Sequence, residues 1–199
     1  MRYSILPSLY QDIIFKGIKL TRQSFSLIPF SIQGTPDLTI TGEVTRRSNA
    51  VYIRYVLDAN LETIVLPAWS AAPTRKDELW KTTCFEFFLA IENKAQYWEF
   101  NMSPSGDWNV YVMDAYRQVG MREETRIKRF PFEVQRELRS LSLELTINLD
   151  SIIAREKPIE VGIASIIQTL NRPETYWALV HPRPEADFHL REGFVLDFA

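Results

Sequence analysis

From Ser24 to Ala199 the apolar residues recur mostly at every second position, and runs rich in Val, Ile, Tyr, Phe and Thr are separated by clusters of turn residues. That period belongs to half-buried strands. It predicts them at residues 25–30, 38–45, 50–57, 63–66, 83–91, 97–102, 108–114, 126–136, 140–149, 160–168, 175–180 and 194–198. Arg46, Arg47, Ser48 and Asn49 read as one hairpin loop, Ser103, Pro104, Ser105, Gly106 and Asp107 as a second, and Asn171, Arg172, Pro173 and Glu174 as a third. Such short turns imply antiparallel pairing of successive strands. Helical patterning is confined to residues 7–20 and a turn at 150–154, too little for the crossovers of a parallel sheet. The expectation is an all-β chain, a single antiparallel β-sandwich of jelly-roll-like form with few short helices. Residues 1–22 break the alternation and are expected to form an N-terminal extension packed on the sandwich or wrapped along its edge, leaving 23–199 as the sandwich domain.

Within this pattern one strand is unusual. Residues 83–91 send Phe85, Phe87, Leu89 and Ile91 to one face and Cys84, Glu86, Phe88 and Ala90 to the other. Glu86 therefore stands among apolar neighbours, where an ionised carboxylate needs partners to offset a desolvation cost on the order of several kcal/mol. The next two strands can be registered by pattern, since a slip of one residue would turn every side chain to the wrong face. Pairing Met102 with Trp108 aligns Phe100 with Val110 and Trp98 with Val112, and sets Asn101 against Asn109, Glu99 against Tyr111 and Tyr97 against Met113. If residues 83–91 lie beside this hairpin, Glu86, Glu99, Asn101, Asn109 and Tyr111 share one polar, aromatic face. Such a face suits a polyhydroxylated ligand, because carboxylates and amides bond vicinal hydroxyls while a ring stacks on the apolar side of a sugar. The competing reading is the solvated side of an antiparallel sheet.

Composition narrows the classes without naming a ligand. With 199 residues, 46% of them hydrophobic and 13% aromatic, the chain is long enough for one domain with a large core. Its 23 basic and 25 acidic residues are scattered, so no basic stripe is available for a phosphate backbone and no nucleic-acid partner is expected. Cys84, the single cysteine, forms no internal disulfide and no zinc motif, which fits a reducing compartment. The first twenty residues do not follow the order of a secretory signal, and no apolar run reaches the ~18 residues of a membrane span; a cytoplasmic location without membrane association is expected.

The same residues admit other chemistry. Glu86 and Glu99 on adjacent strands are also a candidate acid/base pair for glycoside hydrolysis. Deep burial of both in a closed cleft would favour that enzyme, an open aromatic-lined groove a binder, and a flat solvated sheet a structural or interaction role. No G-x-S-x-G elbow, Gly-rich phosphate loop or H-E-x-x-H motif occurs. His181 and His189 lie eight apart across a Pro-containing loop, a spacing with no ligand specificity, so neither metal nor other cofactor is expected; Asp187 is a candidate partner to orient His189. Arg183, Asp187, His189 and Arg191 crowd charge into one loop, and Trp69 and Trp80 flank the polar stretch 70–78, where capping of the sandwich edge is favoured over a ligand role.

Three stretches carry a family resemblance. They are Leu79-Trp80-Lys81-Thr82-Thr83-Cys84-Phe85-Glu86-Phe87-Phe88, Tyr97-Trp98-Glu99-Phe100-Asn101-Met102-Ser103-Pro104-Ser105-Gly106-Asp107-Trp108, and Tyr176-Trp177-Ala178-Leu179-Val180-His181-Pro182 followed by Asp187-Phe188-His189. Together they resemble bacterial DOMON-like domain proteins, from about Phe25 to Phe198. The wider group, with DOMON domains and family-nine carbohydrate-binding modules, implies a β-sandwich that binds sugar or haem. Trp80 and Glu86 resemble the tryptophan and acidic residue of the modules' strand motif, while Glu99, Asn101 and Asp187–His189 match the bacterial group. Haem would need axial ligands such as Met102 or Met113 with His181 or His189, and the register puts Met102 in the core, so sugar ranks above haem. The expected function is a non-enzymatic domain for a carbohydrate or other small polar ligand, through Trp80, Glu86, Glu99, Asn101, Tyr111, Asp187 and His189.

Overall fold

The computed structural model describes residues 11–15, 18–31, 36–117, 120–155 and 157–199. Fourteen strands appear among them: β1 (Gln11–Phe15), β2 (Ile18–Ser26), β3 (Ile28–Pro29), β4 (Leu38–Arg47), β5 (Ala50–Ala59), β6 (Cys84–Ile91), β7 (Tyr97–Met102), β8 (Trp108–Met113), β9 (Arg122–Glu123), β10 (Phe132–Arg136), β11 (Ser140–Asn148), β12 (Ile159–Thr169), β13 (Arg172–Ala178) and β14 (Leu196–Phe198). Three 3-10 turns, at Leu61–Thr63, Leu79–Lys81 and Arg191–Gly193, are the helical elements of the described residues. The strands form two antiparallel sheets, one ordered β1-β2-β4-β5-β11-β10, the other β3-β13-β12-β6-β7-β8-β9 with β14 also on β12. This is the all-β sandwich that the alternation implies. No helix among the described residues is long and apolar enough to cross a membrane.

The core lies between the sheets. On one side Ile40, Val44, Ile53, Tyr55, Leu57, Leu143 and Leu145 point inward at every second position; Phe85, Phe87, Leu89, Trp98, Phe100, Val110 and Ile163 meet them from the other. Phe87 stacks on Phe100 at 4.1 Å between ring centroids. Tyr55 spans the core and donates its hydroxyl to the backbone oxygen of Glu86 at 2.8 Å, a buried polar group satisfied in a way that ties the sheets together beneath that residue. Met102 is fully buried in this core.

Several expectations need correction. The helical reading of 7–20 fails where it can be checked, since 11–15 and 18–20 are strand; residues 7–10, 16 and 17 lie outside the described residues. β1 pairs with β2, and β2 with β4, so this stretch adds strands to the edge of the first sheet, and residue 22 falls inside β2. At 63–66 only Ile64 makes a bridge, to Thr169, because the 3-10 turn before it uses the backbone locally. Within 126–136 the strand begins at Phe132; Ile127 and Phe130 are buried, but as apolar anchors of an irregular segment. The expected loop at 171–174 is a tighter turn, with β13 starting at Arg172. Pairing is not wholly sequential either: β5 bonds β11 and β6 bonds β12, because the chain crosses between sheets.

Candidate functional site

The hairpin register expected from sequence is the one found, with Met102 opposite Trp108, Asn101 opposite Asn109 and Glu99 opposite Tyr111. β6 lies beside β7, setting Glu86 against Asn101 and Phe88 against Glu99. Across the outer face of the second sheet this produces ordered rows. One runs Ala178, Ala164, Glu86, Asn101, Asn109; the next runs Gly162, Phe88, Glu99, Tyr111, Glu123. Glu86 and Glu99 are thus diagonal neighbours, roughly 7 to 8 Å apart along the backbone.

This face is not a solvated one. Glu86 is 2% exposed, Glu99 5%, Asn101 and Asn109 0% and Tyr111 3%. Loops returning from distant parts of the chain cover it, with Phe88, Ala90, Tyr97, Met113, Ala164, Ala178 and Phe194 forming a second apolar cluster. Phe194 lies so near the sheet that a Cβ on Gly162 would come within 2.8 Å of its ring, which accounts for the glycine. Beside this cluster, where Ala164 and Ala178 leave the floor low, is a cavity of about 270 Å³ lined by Trp80, Glu86, Glu99, Arg117, Met121, Ile166, Tyr176, Ala186, Phe188 and His189.

Each expected site residue has a definite place. Trp80, on the 3-10 turn just before β6, Glu86, Glu99 and His189 line the cavity. Asn101 does not; fully buried beneath it, its amide donates to Glu99 Oε1 at 2.7 Å, and its Oδ1 lies 3.6 Å from the Cys84 thiol. Tyr111 is not a lining residue either, because its hydroxyl is bonded by Asn109 at 2.8 Å and itself donates to Asp77, while its ring meets Trp80 edge-on at 5.6 Å. Asp187 holds the wall together from behind, accepting from Tyr116 at 2.5 Å and pairing with Arg117 at 3.1 Å. Its expected role on His189 takes another form: it accepts from the His189 backbone N–H at 3.0 Å, while the ring Nδ1 is bonded to the Tyr97 hydroxyl at 3.0 Å.

Sequence reasoning missed Arg117, Met121, Ile166, Tyr176, Ala186 and Phe188 as lining residues. Ile166 and Tyr176 face each other across β12 and β13 and could have been placed by extending the register. The loop residues carried no periodic signal.

The electrostatics of the floor follow from burial. Desolvation, and then the charge of Glu99, push the Glu86 carboxyl well above the ordinary range, against a smaller downward pull from Cys84. Burial likewise raises Glu99 to about 7, against the Asn101 donor and the Arg117 charge. At neutral pH Glu86 is thus a neutral acid and Glu99 sits near its midpoint. His189 is lowered to about 4 by burial first and then by Arg117, against Asp187, so its ring is uncharged and its 4.0 Å approach to Glu99 Oε2 is not an ion pair at neutral pH. Glu86 Oε1 is buried and has no hydrogen-bond partner among the described residues.

The histidines do not converge. His181 Nε2 bonds the Ile28 carbonyl at 3.0 Å while His189 bonds Tyr97, and the described residues contain no cluster of three or more His, Cys, Asp or Glu that could hold a metal ion.

Three solved structures are similar to the chain. A "putative carbohydrate-binding protein" from Bacteroides uniformis matches with a TM-score of 0.64 at 13% identity, covering 86% of this chain and 83% of that one. A family 9 carbohydrate binding module from Caldicellulosiruptor kristjanssonii, in complex with cellotriose, matches with a TM-score of 0.46 at 12% identity over 77% of this chain and 71% of that one. The glucose complex of a family 9 module from the same organism gives 0.42 at 14% identity over 74% and 69%. No family model matches the chain, and no curated protein matches it. At these identities the likeness to the Bacteroides protein is one of fold, a two-sheet sandwich.

Proposed function

We propose that this chain is a non-catalytic binding domain that takes a small saccharide in the cavity over β6, β7 and β12. The observation that carries the reading is Glu86, a carboxyl lining a cavity with Trp80, Tyr176 and Phe188, whose buried Oε1 has no hydrogen-bond partner among the described residues. An unmade buried hydrogen bond costs about 1–3 kcal/mol, and a ligand hydroxyl removes that cost while the aromatic walls cover the apolar side of a sugar ring. The sandwich shared with a protein named for carbohydrate binding supports the same reading, as does the resemblance of Trp80 and Glu86 to the strand motif of sugar-binding modules.

A second reading, glycoside hydrolysis by Glu86 and Glu99, is favoured by the burial of both carboxyls and their raised proton affinities. Against it stands their placement. Acid and nucleophile must flank a scissile bond, whereas these two rise side by side from one floor, and Glu99 already spends one oxygen on Asn101.

Calorimetry and thermal-shift measurements against a panel of mono- and oligosaccharides test the proposal. At least one sugar should bind; at 100 times its dissociation constant it should add about 2.7 kcal/mol of stability. Trp80→Ala, with its circular dichroism unchanged, should weaken that sugar at least tenfold. Failure of every sugar sinks the proposal, and release of reducing ends that disappears in Glu86→Gln would replace it with hydrolysis.

A further inference from the structure

Four carboxylates are buried among the described residues: Glu86, Glu99, Asp107 and Glu124. The last two are each supplied with a cation. Lys76 pairs with Asp107 at 2.7 Å, and Arg126 with Glu124 at 2.5 Å. Even the partly exposed Asp187 and Glu160 have Arg117 and Arg191. Glu86 and Glu99 are the exceptions, for among the described residues neither forms an ion pair with a Lys or Arg, although the Arg117 charge acts on Glu99 at longer range. The cationic side chain among the described cavity-lining residues is Arg117, and it is committed to Asp187. His189, the other basic group at the floor, is uncharged near neutral pH and tied to Tyr97.

The remaining described groups around Glu86 include no cation that would hold it ionised. Ala164 faces it from β12, Cys84 precedes it on its own strand, and Tyr55 reaches only its backbone oxygen from below. Trp80, Tyr176 and Phe188 line the same cavity, and aromatic rings attract a cation over their faces. We infer that the ligand of this cavity carries a protonated amino group, so that the site prefers an amino sugar to the parent neutral sugar; the inference rests on the saccharide reading above. An ammonium has three donors and no acceptor, which matches a floor holding an orphaned carboxyl oxygen beside a second carboxylate. A neutral sugar can bond the unpartnered oxygen but brings no charge against which the two acids could ionise. An acetylated amine keeps the shape and loses the charge.

Calorimetry at pH 7 with matched sets decides it: glucosamine, glucose and N-acetylglucosamine, then the galacto and manno equivalents. In at least one set the amino sugar should bind at least tenfold tighter than both neutral members. Its binding enthalpy should differ between phosphate and Tris buffers, because Glu86 gives up its proton when the ammonium arrives; any neutral sugar should show a smaller difference. Glu86→Gln and Glu99→Gln, each checked for folding by circular dichroism, should bring the amino sugar to within about twofold of its parent. Equal or tighter binding of the parent or acetylated sugar, or a preference that survives both substitutions, overturns the inference and leaves the saccharide reading standing. If no sugar of any set binds, both fall together.

Discussion

The outer face of the second sheet contains two polar regions built from adjacent strands, and they are finished in opposite ways. On β8, Asn109 has its amide within reach of Tyr111 OH at 2.8 Å, Glu123 Oε1 at 2.9 Å and the Lys76 carbonyl at 3.0 Å, while its Oδ1 accepts from Arg75 at 2.7 Å. Arg75 is itself consumed, donating to the Ile127 and Glu124 carbonyls at 2.6 and 3.2 Å and lying 4.4 Å over the Trp108 ring. Every polar atom named there has a partner from the chain. On β6 and β7, Glu86 and Glu99 share a cavity, make no ion pair with a Lys or Arg among the described residues and include an unpartnered oxygen. Burial is the same in both regions, so burial alone does not separate a structural network from a site; hydrogen-bond and charge accounting does.

The largest test of this contrast is Asn109→Ala. It strips partners from Arg75, Tyr111, Glu123 and a backbone carbonyl at once, and should cost about 4 kcal/mol in urea denaturation, at the upper end for single substitutions. A loss under about 1 kcal/mol would mean that the network is not what holds residues 75–78 to the sheet, and the comparison would break.

The next effect is a pH dependence that Glu99 should impose. Its folded value of about 7 lies above the 4.5 of an ordinary glutamate, so the native state keeps a proton that the unfolded chain releases. The resulting stability is complete below about pH 4.5 and is lost as pH rises through 7; the gap corresponds to about 3 kcal/mol. His189 acts in the opposite sense, since a value lowered to about 4 gives stability that is present above 6.5 and lost as pH falls through 4. Subtracting the profile of Glu99→Gln from that of the wild type removes the histidine contribution. The difference should fall as pH rises from 4.5 to 8, and a flat difference would show that Glu99 titrates normally. Glu124, held down to about 2 by Arg126 against its burial, should give the reverse trend, with stability present above about pH 4.5 and lost as pH falls through 2.

The finished region has its own smaller test in Tyr111→Phe. The ring and its edge contact with Trp80 remain, and the hydrogen bonds to Asp77 and Asn109 go. Asp77 is exposed and rehydrates, while Asn109 keeps other acceptors, so denaturation should register a loss of about 1 kcal/mol. A loss near that of Asn109→Ala would place Tyr111 at the centre of the network.

How much of this was legible in the sequence divides along the same line. Alternation fixes faces and register, so the rows through Glu86, Asn101 and Asn109 and through Glu99 and Tyr111 could be read off before any coordinates. What covers a face is another matter. Arg117, Met121 and Phe188 come from loops whose approach depends on tertiary packing rather than on period, and the expectation of a solvated or open face had no means of including them. Phe88, Ala90, Tyr97 and Met113 on the supposedly outer face were a usable sign that it is covered. The same limit explains 126–131, where Ile127 and Phe130 supply strand-like apolar content but anchor a loop. It also explains Asp187, whose loop position suggested a ligand contact and which instead braces Arg117 and Tyr116.

The smallest expected change in stability is at the residue the site depends on most. Glu86→Gln replaces a buried neutral acid by an amide of nearly the same shape, and the lost Oε1 had no partner to leave behind. At pH 4 the variant should match the wild type to within about 0.5 kcal/mol, the range of an ordinary surface substitution, although the position is 2% exposed. Above about pH 4.5, where an unfolded glutamate releases its proton, the two should diverge. The raised proton affinity of Glu86 gives the wild type stability that is lost as pH climbs, and glutamine, which does not titrate, is spared that loss, so the variant becomes the more stable protein. A large loss at pH 4 that persists to pH 7 would mean that the carboxyl is bound within the fold, placing Glu86 with Asn109 among the finished groups. Near-identity at pH 4 together with a growing advantage of the variant toward neutral pH is the result expected of a carboxyl whose partner is not part of the chain.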